Sequence, residues 1–329
     1  MAKRRLTDRQ KRQISAKQHQ IIDTQTDTDT YQGTVVTHHG KELIVSNANQ
    51  DTINCQLRQN LGTIVCGDRV AFQFIDRHSA PKTAVVVALA KRINLLQKAG
   101  FAGKAKAVAA NIDRVIVVCS LVPNPSSYLI DRYLVAAENL PARPVIVINK
   151  IDLLDDENEH VVDDINSIYT SIGYRVLETS AIRITGIDEL QSVLIGSTSI
   201  LVGLSGVGKS SLVNDLIPDI DIRIGEISQA SKEGKHTTTV STLYSLPTGG
   251  NLIDSPGVRD FTPLNLDKQQ ILNGFVELKS YRGQCKFTNC SHTNEPACAI
   301  AQALENGEVA QQRVNSFRKM LADASNQQY

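Results

Sequence analysis

The chain has 329 residues, which is long enough for two or three domains with a well-buried core. Hydrophobic residues make up 41% of it and charged residues 21%, and its formal net charge is only +1, all ordinary values for a soluble globular protein. Its apolar runs are too short to span a bilayer, so we expect no membrane partner, and we expect a monomer.

The N-terminus is basic and poor in apolar residues. Among the first 17 residues, Asp8 is the one acidic residue beside seven cationic ones, namely Lys3, Arg4, Arg5, Arg9, Lys11, Arg12 and Lys17. This composition predicts that residues 1–32 are a disordered basic arm that grips polyanionic nucleic acid, with a solubilising tail as the alternative. No apolar h-region follows the basic start, so we expect no signal peptide and a cytoplasmic protein.

Residues 33–98 contain short β-rich runs, such as RVAFQFI and TAVVVALA, separated by glycine, asparagine and aspartate turns. About five such strands fit an OB-like β-barrel, a fold that often binds nucleic acid. The barrel could also be only a docking surface, because fold analogy does not separate the two roles.

The sequence pattern of residues 99–265 predicts an α/β domain. Continuous apolar runs, such as RVIVVCS, PVIVINK and SILVGLSG, alternate with helical stretches predicted over 130–140, 156–172 and 186–194. This alternation indicates a parallel sheet that is covered by helices on both faces and binds ligands at the carboxyl ends of its strands. Residues 266–329 are predicted to be mostly helical.

The stretch GLSGVGKSS fits the Walker A pattern of a phosphate-binding loop between a strand and a helix. Backbone N–H groups of the loop and the N-terminus of the following helix would hold the phosphates. We expect Lys209 to reach the β- and γ-phosphates and Ser210 to ligate Mg²⁺. The predicted phosphate-binding residues are Gly203, Leu204, Ser205, Gly206, Val207, Gly208, Lys209, Ser210 and Ser211.

Two further motifs predict that the bound base is guanine, and hence that the ligand is GTP or GDP. A carboxylate at Asp152 can accept the ring N–H and the exocyclic amino group of guanine, whereas adenine lacks that donor pair. Asn149 would brace the loop, and the Lys150 stem would cover the face of the base. The TSA stretch would offer a backbone N–H to the guanine carbonyl. The predicted base-binding residues are Asn149, Lys150, Ile151, Asp152, Thr179, Ser180 and Ala181.

Besides Lys209 and Ser210, further catalytic residues are predicted downstream of the phosphate loop. Asp254 and Gly257 form a DxxG motif that can hold the Mg²⁺ water shell and contact the γ-phosphate. Val258 stands where many GTPases have a water-orienting glutamine, so intrinsic hydrolysis should be slow. His236 is either the residue that positions the water or a loop histidine with no role. The preceding polar loop suits a switch whose metal ligand is one of Thr237, Thr238 and Thr239.

In chain order the base-reading motif precedes the phosphate loop, the reverse of an ordinary GTPase. A closed α/β domain tolerates this order if its original termini are joined and new ends are cut elsewhere. We therefore predict a circular permutation. DxxG then leads directly into the C-terminal domain, and we hypothesise that the nucleotide state moves that domain.

The six cysteines predict thiols or a metal site rather than disulfides. Cys55, Cys66 and Cys119 are expected to be buried packing. The other three combine with a histidine into a closed set of ligands for structural Zn²⁺, namely Cys285, Cys290, His292 and Cys298. Cationic and aromatic neighbours suit RNA but could also be an ordinary rim, namely Lys279, Tyr281, Arg282, Lys286 and Phe287.

The permuted order, together with GLSGVGKSS, KHTTT, DSPG and the C-x₄-C-x-H-x₅-C spacing, resembles the RsgA/YjeQ family of small-ribosomal-subunit-dependent GTPases. The resemblance implies an N-terminal OB-fold, a permuted GTPase domain and a C-terminal zinc domain. It also implies 16S rRNA rather than DNA as the nucleic-acid partner, and GTP hydrolysis stimulated by the 30S subunit late in its maturation.

Two other functions fit parts of the pattern. A GTP-driven metallochaperone would deliver zinc, but a closed set of four ligands argues against delivery. A non-enzymatic RNA-binding protein would use GTP as a structural ligand, but Lys209, Ser210 and Asp254 argue for turnover.

Overall fold

The N-terminal strands close into a barrel, as predicted. The computed structural model describes residues 29–40, 42–58, 61–76, 83–99, 105–218, 241–255, 266–293 and 295–326. The barrel strands are β1 (Tyr31–His39), β2 (Glu42–Ser46), β3 (Thr52–Leu57), β4 (Arg69–Asp76) and β5 (Thr83–Leu89). β1 pairs with both β2 and β4, and β3 pairs in parallel with β5, which gives the closed order β1-β2-β3-β5-β4. This confirms the OB-like topology.

A two-stranded antiparallel hairpin, which the sequence did not predict, joins the barrel to the next domain. Its strands are β6 (Leu95–Ala99) and β7 (Ala105–Ala110). The Ala110 N–H donates to the Cys66 carbonyl at 2.9 Å, and the Asn111 side-chain amide donates to the Gly67 carbonyl at 2.9 Å. These bonds fix the barrel against the base of the hairpin.

The α/β domain contains a sheet of six strands in the described part of the chain. They are β8 (Arg114–Ser120), β9 (Arg143–Asn149), β10 (Arg175–Thr179), β11 (Thr198–Val202), β12 (Thr242–Ser245) and β13 (Asn251–Asp254). The spatial order is β10-β9-β8-β11-β13-β12, and every pairing is parallel except that of β12 with β13. The carboxyl ends of the parallel strands therefore meet at one edge.

Helices cover both faces of this sheet, as the continuous apolar strands predict. They are α1 (Ser127–Asn139), α2 (Glu159–Ser171), α3 (Ile187–Leu194) and α4 (Lys209–Leu216). One core cluster contains apolar side chains of α1 and α2, and a second cluster contains those of α3 and α4.

The C-terminal part is mostly helical and packs on α1. It contains α5 (Lys268–Gly274), a 3₁₀ helix (Val276–Tyr281), α6 (Ala299–Glu305) and α7 (Gln311–Asn326). Val135 of α1 belongs to the same core cluster as Phe275 and Phe317 of this part. No helix within the described ranges is long and apolar enough to cross a bilayer.

A fully buried arginine connects the two parts. The Arg313 guanidinium of α7 donates to Asp131 of α1 at 2.5 Å and to Glu277 at 2.7 Å and 3.1 Å. Tyr169 of α2 donates to the same Asp131 oxygen at 2.7 Å. Burial opposes the charge on Arg313, but the two carboxylates more than offset this, raise the pKa of the guanidinium and keep it protonated.

The three scattered cysteines are buried, as expected. Burial raises the pKa of the Cys55 and Cys119 thiols to about 12, and it also raises the pKa of Cys66. Because the thiolate is the reactive form, these side chains are chemically inert packing.

We predict that Arg313→Met lowers the free energy of unfolding by about 3–5 kcal/mol, because it leaves the buried Asp131 and the half-buried Glu277 without their partner. Urea denaturation measures this loss. Arg175→Met is the matched control, because Arg175 pairs with Glu189 on the exposed surface, where such pairs contribute at most about 1 kcal/mol. A loss below about 1 kcal/mol for Arg313→Met would show that the cluster does not stabilise this junction.

Candidate functional site

The predicted nucleotide-binding motifs lie together at the carboxyl edge of the sheet. The phosphate loop follows β11, the base-reading motif follows β9, and Thr179 ends β10 with Ser180 and Ala181 directly behind it. β9 lies between β10 and β8, and β8 lies beside β11. Motifs that are distant in the chain are therefore neighbours in space.

Two glycines of the phosphate loop have no room for a side chain. Gly203 has a φ of 147°, and a Cβ there would lie 2.1 Å from the Val118 carbonyl oxygen of β8. Gly208 has a φ of 93°, and a Cβ there would lie 2.2 Å from the Asn149 side-chain nitrogen. Glycine therefore lets the loop pass close to its neighbours, as the Walker A pattern requires.

Lys209 begins α4, and Ser210 and Ser211 follow it in the first turn of that helix. The Lys209 ammonium donates to the Gly203 carbonyl at 2.7 Å and to the Leu204 carbonyl at 2.5 Å. Its side chain is buried, at 7% exposure. The cation is therefore held inside the loop, where it can meet phosphate oxygens.

Asn149 joins three loops. Its side-chain amide donates to the Val207 carbonyl of the phosphate loop at 2.9 Å, and its oxygen accepts from the Thr179 hydroxyl at 3.0 Å. Both side chains are buried, Asn149 at 1% and Thr179 at 0% exposure. A buried amide that is bonded at both ends fixes the distance between the loops it connects.

Lys150 crosses from the base-reading motif to the phosphate loop. Its ammonium donates to the Gly206 carbonyl at 2.5 Å and to the Val122 carbonyl at 2.6 Å. Its φ of 64° is left-handed, which is uncommon for a side chain other than glycine and typical of functional loops. The stem therefore runs from the base-reading motif to the phosphate loop.

Asp152 is held by the loop that follows β10. Asp152 and Ile151 lie in a 3₁₀ turn (Ile151–Leu153), and the Ser180 hydroxyl donates to the Asp152 carboxylate at 2.5 Å. Arg183, which the sequence motifs did not indicate, donates from its backbone to the Ser180 hydroxyl at 3.1 Å and from its guanidinium to the Asp152 carbonyl at 3.3 Å. The carboxylate thus has a fixed orientation.

Asp254 ends β13, the strand beside β11, so it lies at the same edge as the phosphate loop. Its neighbour Ser255 is buried and accepts a hydrogen bond from Ser241 at 2.7 Å. The other predicted catalytic residues lie outside the described residues, namely His236, Thr237, Thr238, Thr239 and Gly257.

The four predicted zinc ligands form a cluster. The ligand atoms of Cys285, Cys290, His292 and Cys298 all lie within 4.8 Å of one another. His292 Nδ1 is 3.5 Å from the sulfurs of Cys285 and Cys298. Ligands of a tetrahedral Zn²⁺ lie about 3.8 Å apart, so this donor set fits the ion.

Arg318 of α7 anchors the cysteine–histidine cluster, because its guanidinium donates a hydrogen bond to the His292 backbone carbonyl at 2.6 Å. The Ala299 N–H, at the start of α6, donates to the Cys285 sulfur at 3.4 Å. The cluster is therefore anchored to both C-terminal helices.

Comparisons with known proteins agree with this geometry. A family model described as RsgA GTPase matches residues 89–263. The small ribosomal subunit biogenesis GTPase RsgA of Saccharophagus degradans is 40% identical over an alignment of 338 positions including gaps. The alignment covers 98% of this chain and 97% of that protein. The RsgA of Pseudomonas savastanoi is 42% identical over 301 residues, which cover 90% of this chain and 87% of that protein.

Two solved structures share the architecture. YjeQ from Thermotoga maritima has a TM-score of 0.73 at 33% identity, and the match covers 90% of this chain and 98% of that one. YloQ, described as a circularly permuted GTPase, has a TM-score of 0.73 at 25% identity, with 92% and 98% covered. With its barrel, its permuted GTPase domain and its C-terminal cysteine–histidine cluster, the chain belongs to the RsgA GTPase family.

Proposed function

We propose that this GTPase binds the 30S ribosomal subunit through 16S rRNA, hydrolyses GTP when that subunit stimulates it, and acts in the cytoplasm late in 30S maturation. The names of its relatives support the partner. The single observation that carries the chemistry is the Asn149 amide, which holds the base-reading loops and the phosphate loop in one frame.

In the proposed complex, Asp152 accepts the ring N–H and the amino group of guanine. Ser180 and Arg183 already fix the Asp152 loop, so little reorganisation is needed when the base binds. The Lys150 stem covers one face of the base. An adenine base would leave the carboxylate unpaired, which is costly in a site built around hydrogen bonds.

The phosphates lie along the loop from Gly203 to Ser211, with Lys209 at the β- and γ-phosphates. Ser210 and Asp254 would hold Mg²⁺, together with Thr238 or Thr239, and the ion neutralises charge on the β- and γ-phosphates when bound. The Gly257 N–H would contact the γ-phosphate. His236 orients the attacking water, because Val258 has no hydrogen-bonding group for that task.

Slow intrinsic hydrolysis makes the GTP-bound state long-lived until a partner completes the site. The barrel and the C-terminal part flank the GTPase domain in the chain. In the C-terminal part, the Lys286 ammonium lies 5.7 Å from the centre of the exposed Phe287 ring. A cation beside an exposed ring suits a stacked RNA base and its phosphate. The four clustered ligands would hold one structural Zn²⁺, which would cross-link the loops that carry this surface.

We predict that Asp152→Asn raises the Kd for GDP about a hundredfold or more, because the new amide loses one acceptor for guanine. The variant should instead gain affinity for XDP, since the 2-oxo group of xanthine accepts from that amide. Fluorescent-nucleotide titration measures both constants. Asp156→Asn, an exposed carboxylate close by in the chain, is the control. Unchanged preference for GDP over XDP would contradict the assigned role.

The GTPase rate should rise on the order of 10²–10³-fold with 30S subunits and stay at its basal value with 50S subunits. Multiple-turnover phosphate release measures this. His236→Ala should lose most of the stimulated rate while its affinity for 30S stays unchanged, because the residue orients water and does not bind the partner. Equal rates with both subunits would refute the proposed partner.

The purified protein should contain about one Zn²⁺ per chain, and Cys290→Ser should lose it, because a tetrahedral site needs all four ligands. Zinc content by atomic absorption gives the answer. Cys55→Ala serves as the control, since that thiol is buried in the barrel away from the cluster. Retention of the full zinc content by Cys290→Ser would overturn the ligand set.

A further inference from the structure

A buried serine that has no role in the site described above lies at the carboxyl end of β8. Ser120 is the last residue of this strand, is fully buried, and is paired in register with Asn149, the last residue of β9. Its hydroxyl donates to the Val122 carbonyl at 2.9 Å. Because the two strands are parallel neighbours that end at the same level, the segments that follow them also leave the sheet at the same edge.

The Val122 carbonyl accepts two hydrogen bonds. One comes from the Ser120 hydroxyl, and the other comes from the Lys150 ammonium at 2.6 Å. A carbonyl oxygen has two lone pairs, so it can accept both bonds at once. The same ammonium donates to the Gly206 carbonyl of the phosphate loop at 2.5 Å. A continuous chain of hydrogen bonds therefore runs from the end of β8 to the phosphate loop.

Apolar packing alone does not fix the segment that carries Val122. A cavity of about 20 Å³ lies between this segment and the phosphate loop, and its lining includes Pro123 and Pro125 of the segment and Leu204 and Val207 of the loop. Such a volume holds about one water molecule. Side chains that face a gap lose van der Waals contacts, so the direction of the Val122 carbonyl depends on its hydrogen bonds.

The position of the Lys150 stem depends on where its ammonium is held, because the side chain is long and flexible. Two carbonyls hold the ammonium, and the Ser120 hydroxyl sets the direction of one of them. A stem that is already in place when the nucleotide arrives loses less conformational freedom on binding, which favours the complex.

We infer that Ser120 is a positioning residue for the nucleotide. Its hydroxyl fixes the Val122 carbonyl, which holds the Lys150 side chain in the place from which its stem covers the base. This inference rests on the role proposed above for Lys150. Because the buried hydroxyl acts only through the Lys150 ammonium, its effect should disappear when that ammonium is removed.

The test measures association and dissociation of fluorescent GDP by stopped flow, on the full chain with Mg²⁺ present. Ser120→Ala should raise the Kd about threefold to tenfold, mainly through faster dissociation, because it removes one neutral hydrogen bond. Ser199→Ala is the matched control. Ser199 of β11 is equally buried, but its hydroxyl has no hydrogen-bond partner among the described residues, so its removal should change the Kd by less than about twofold.

A double-mutant cycle separates a positioning role from a general effect on the fold. Lys150→Met keeps an apolar stem and removes the ammonium. In that background, Ser120→Ala should change the Kd by less than about twofold, because the group through which it acts is gone. An equal rise in Kd in both backgrounds would show that Ser120 only supports the fold, and would overturn the inference.

The single variants distinguish a failure of this inference from a failure of the proposed function. If Lys150→Met weakens GDP binding and Ser120→Ala does not, the inference is wrong while the role of Lys150 stands. If both variants bind GDP like the parent chain, the role of Lys150 is wrong and the inference fails with it.

Discussion

The nucleotide pocket depends on one buried amide. Asn149 ends β9, donates to Val207 of the phosphate loop and accepts from Thr179 at the end of β10. Loops at the end of a sheet carry backbone groups that the strand ladder does not satisfy. The Asn149 side chain bonds one such group in the phosphate loop and the Thr179 hydroxyl at the end of β10, so these two segments cannot move apart without breaking buried hydrogen bonds. Gly208 lets this amide approach, since a Cβ there would be 2.2 Å from its nitrogen.

The parallel sheet explains why the permuted order of the motifs does not disturb the nucleotide pocket. A parallel sheet collects the carboxyl ends of its strands at one edge, whichever strand comes first in the chain. β11, which precedes the phosphate loop, is the fourth strand of this sheet in chain order, yet it lies between β8 and β13. Pocket geometry depends on this spatial order, and the chain order decides only which domain follows which motif.

The C-terminal part is attached to the GTPase domain by a buried charge as well as by apolar packing. Arg313 bonds carboxylates on both sides of the junction, while Phe275 and Phe317 pack with Val135 of α1. Removing charges from water is costly and is offset here by three hydrogen bonds and two carboxylates, so the arrangement is favourable only when all partners are in place. This all-or-none character favours one fixed position of the zinc-ligand cluster relative to α1. Any movement driven by nucleotide would have to carry α1 along or break this contact.

The sequence by itself determined whatever depends on local pattern. Glycine spacing, apolar periodicity and the four ligand types were sufficient to predict the barrel, the covered parallel sheet, the phosphate loop and the zinc-ligand cluster, because each follows from residues close together in the chain. The tertiary structure decided which distant residues meet. Arg313 and Asp131 are separated by 182 positions, and Arg183 lies beside Asp152 only because their strands are neighbours. No local pattern records such meetings, since they result from the way the packed elements are arranged in space.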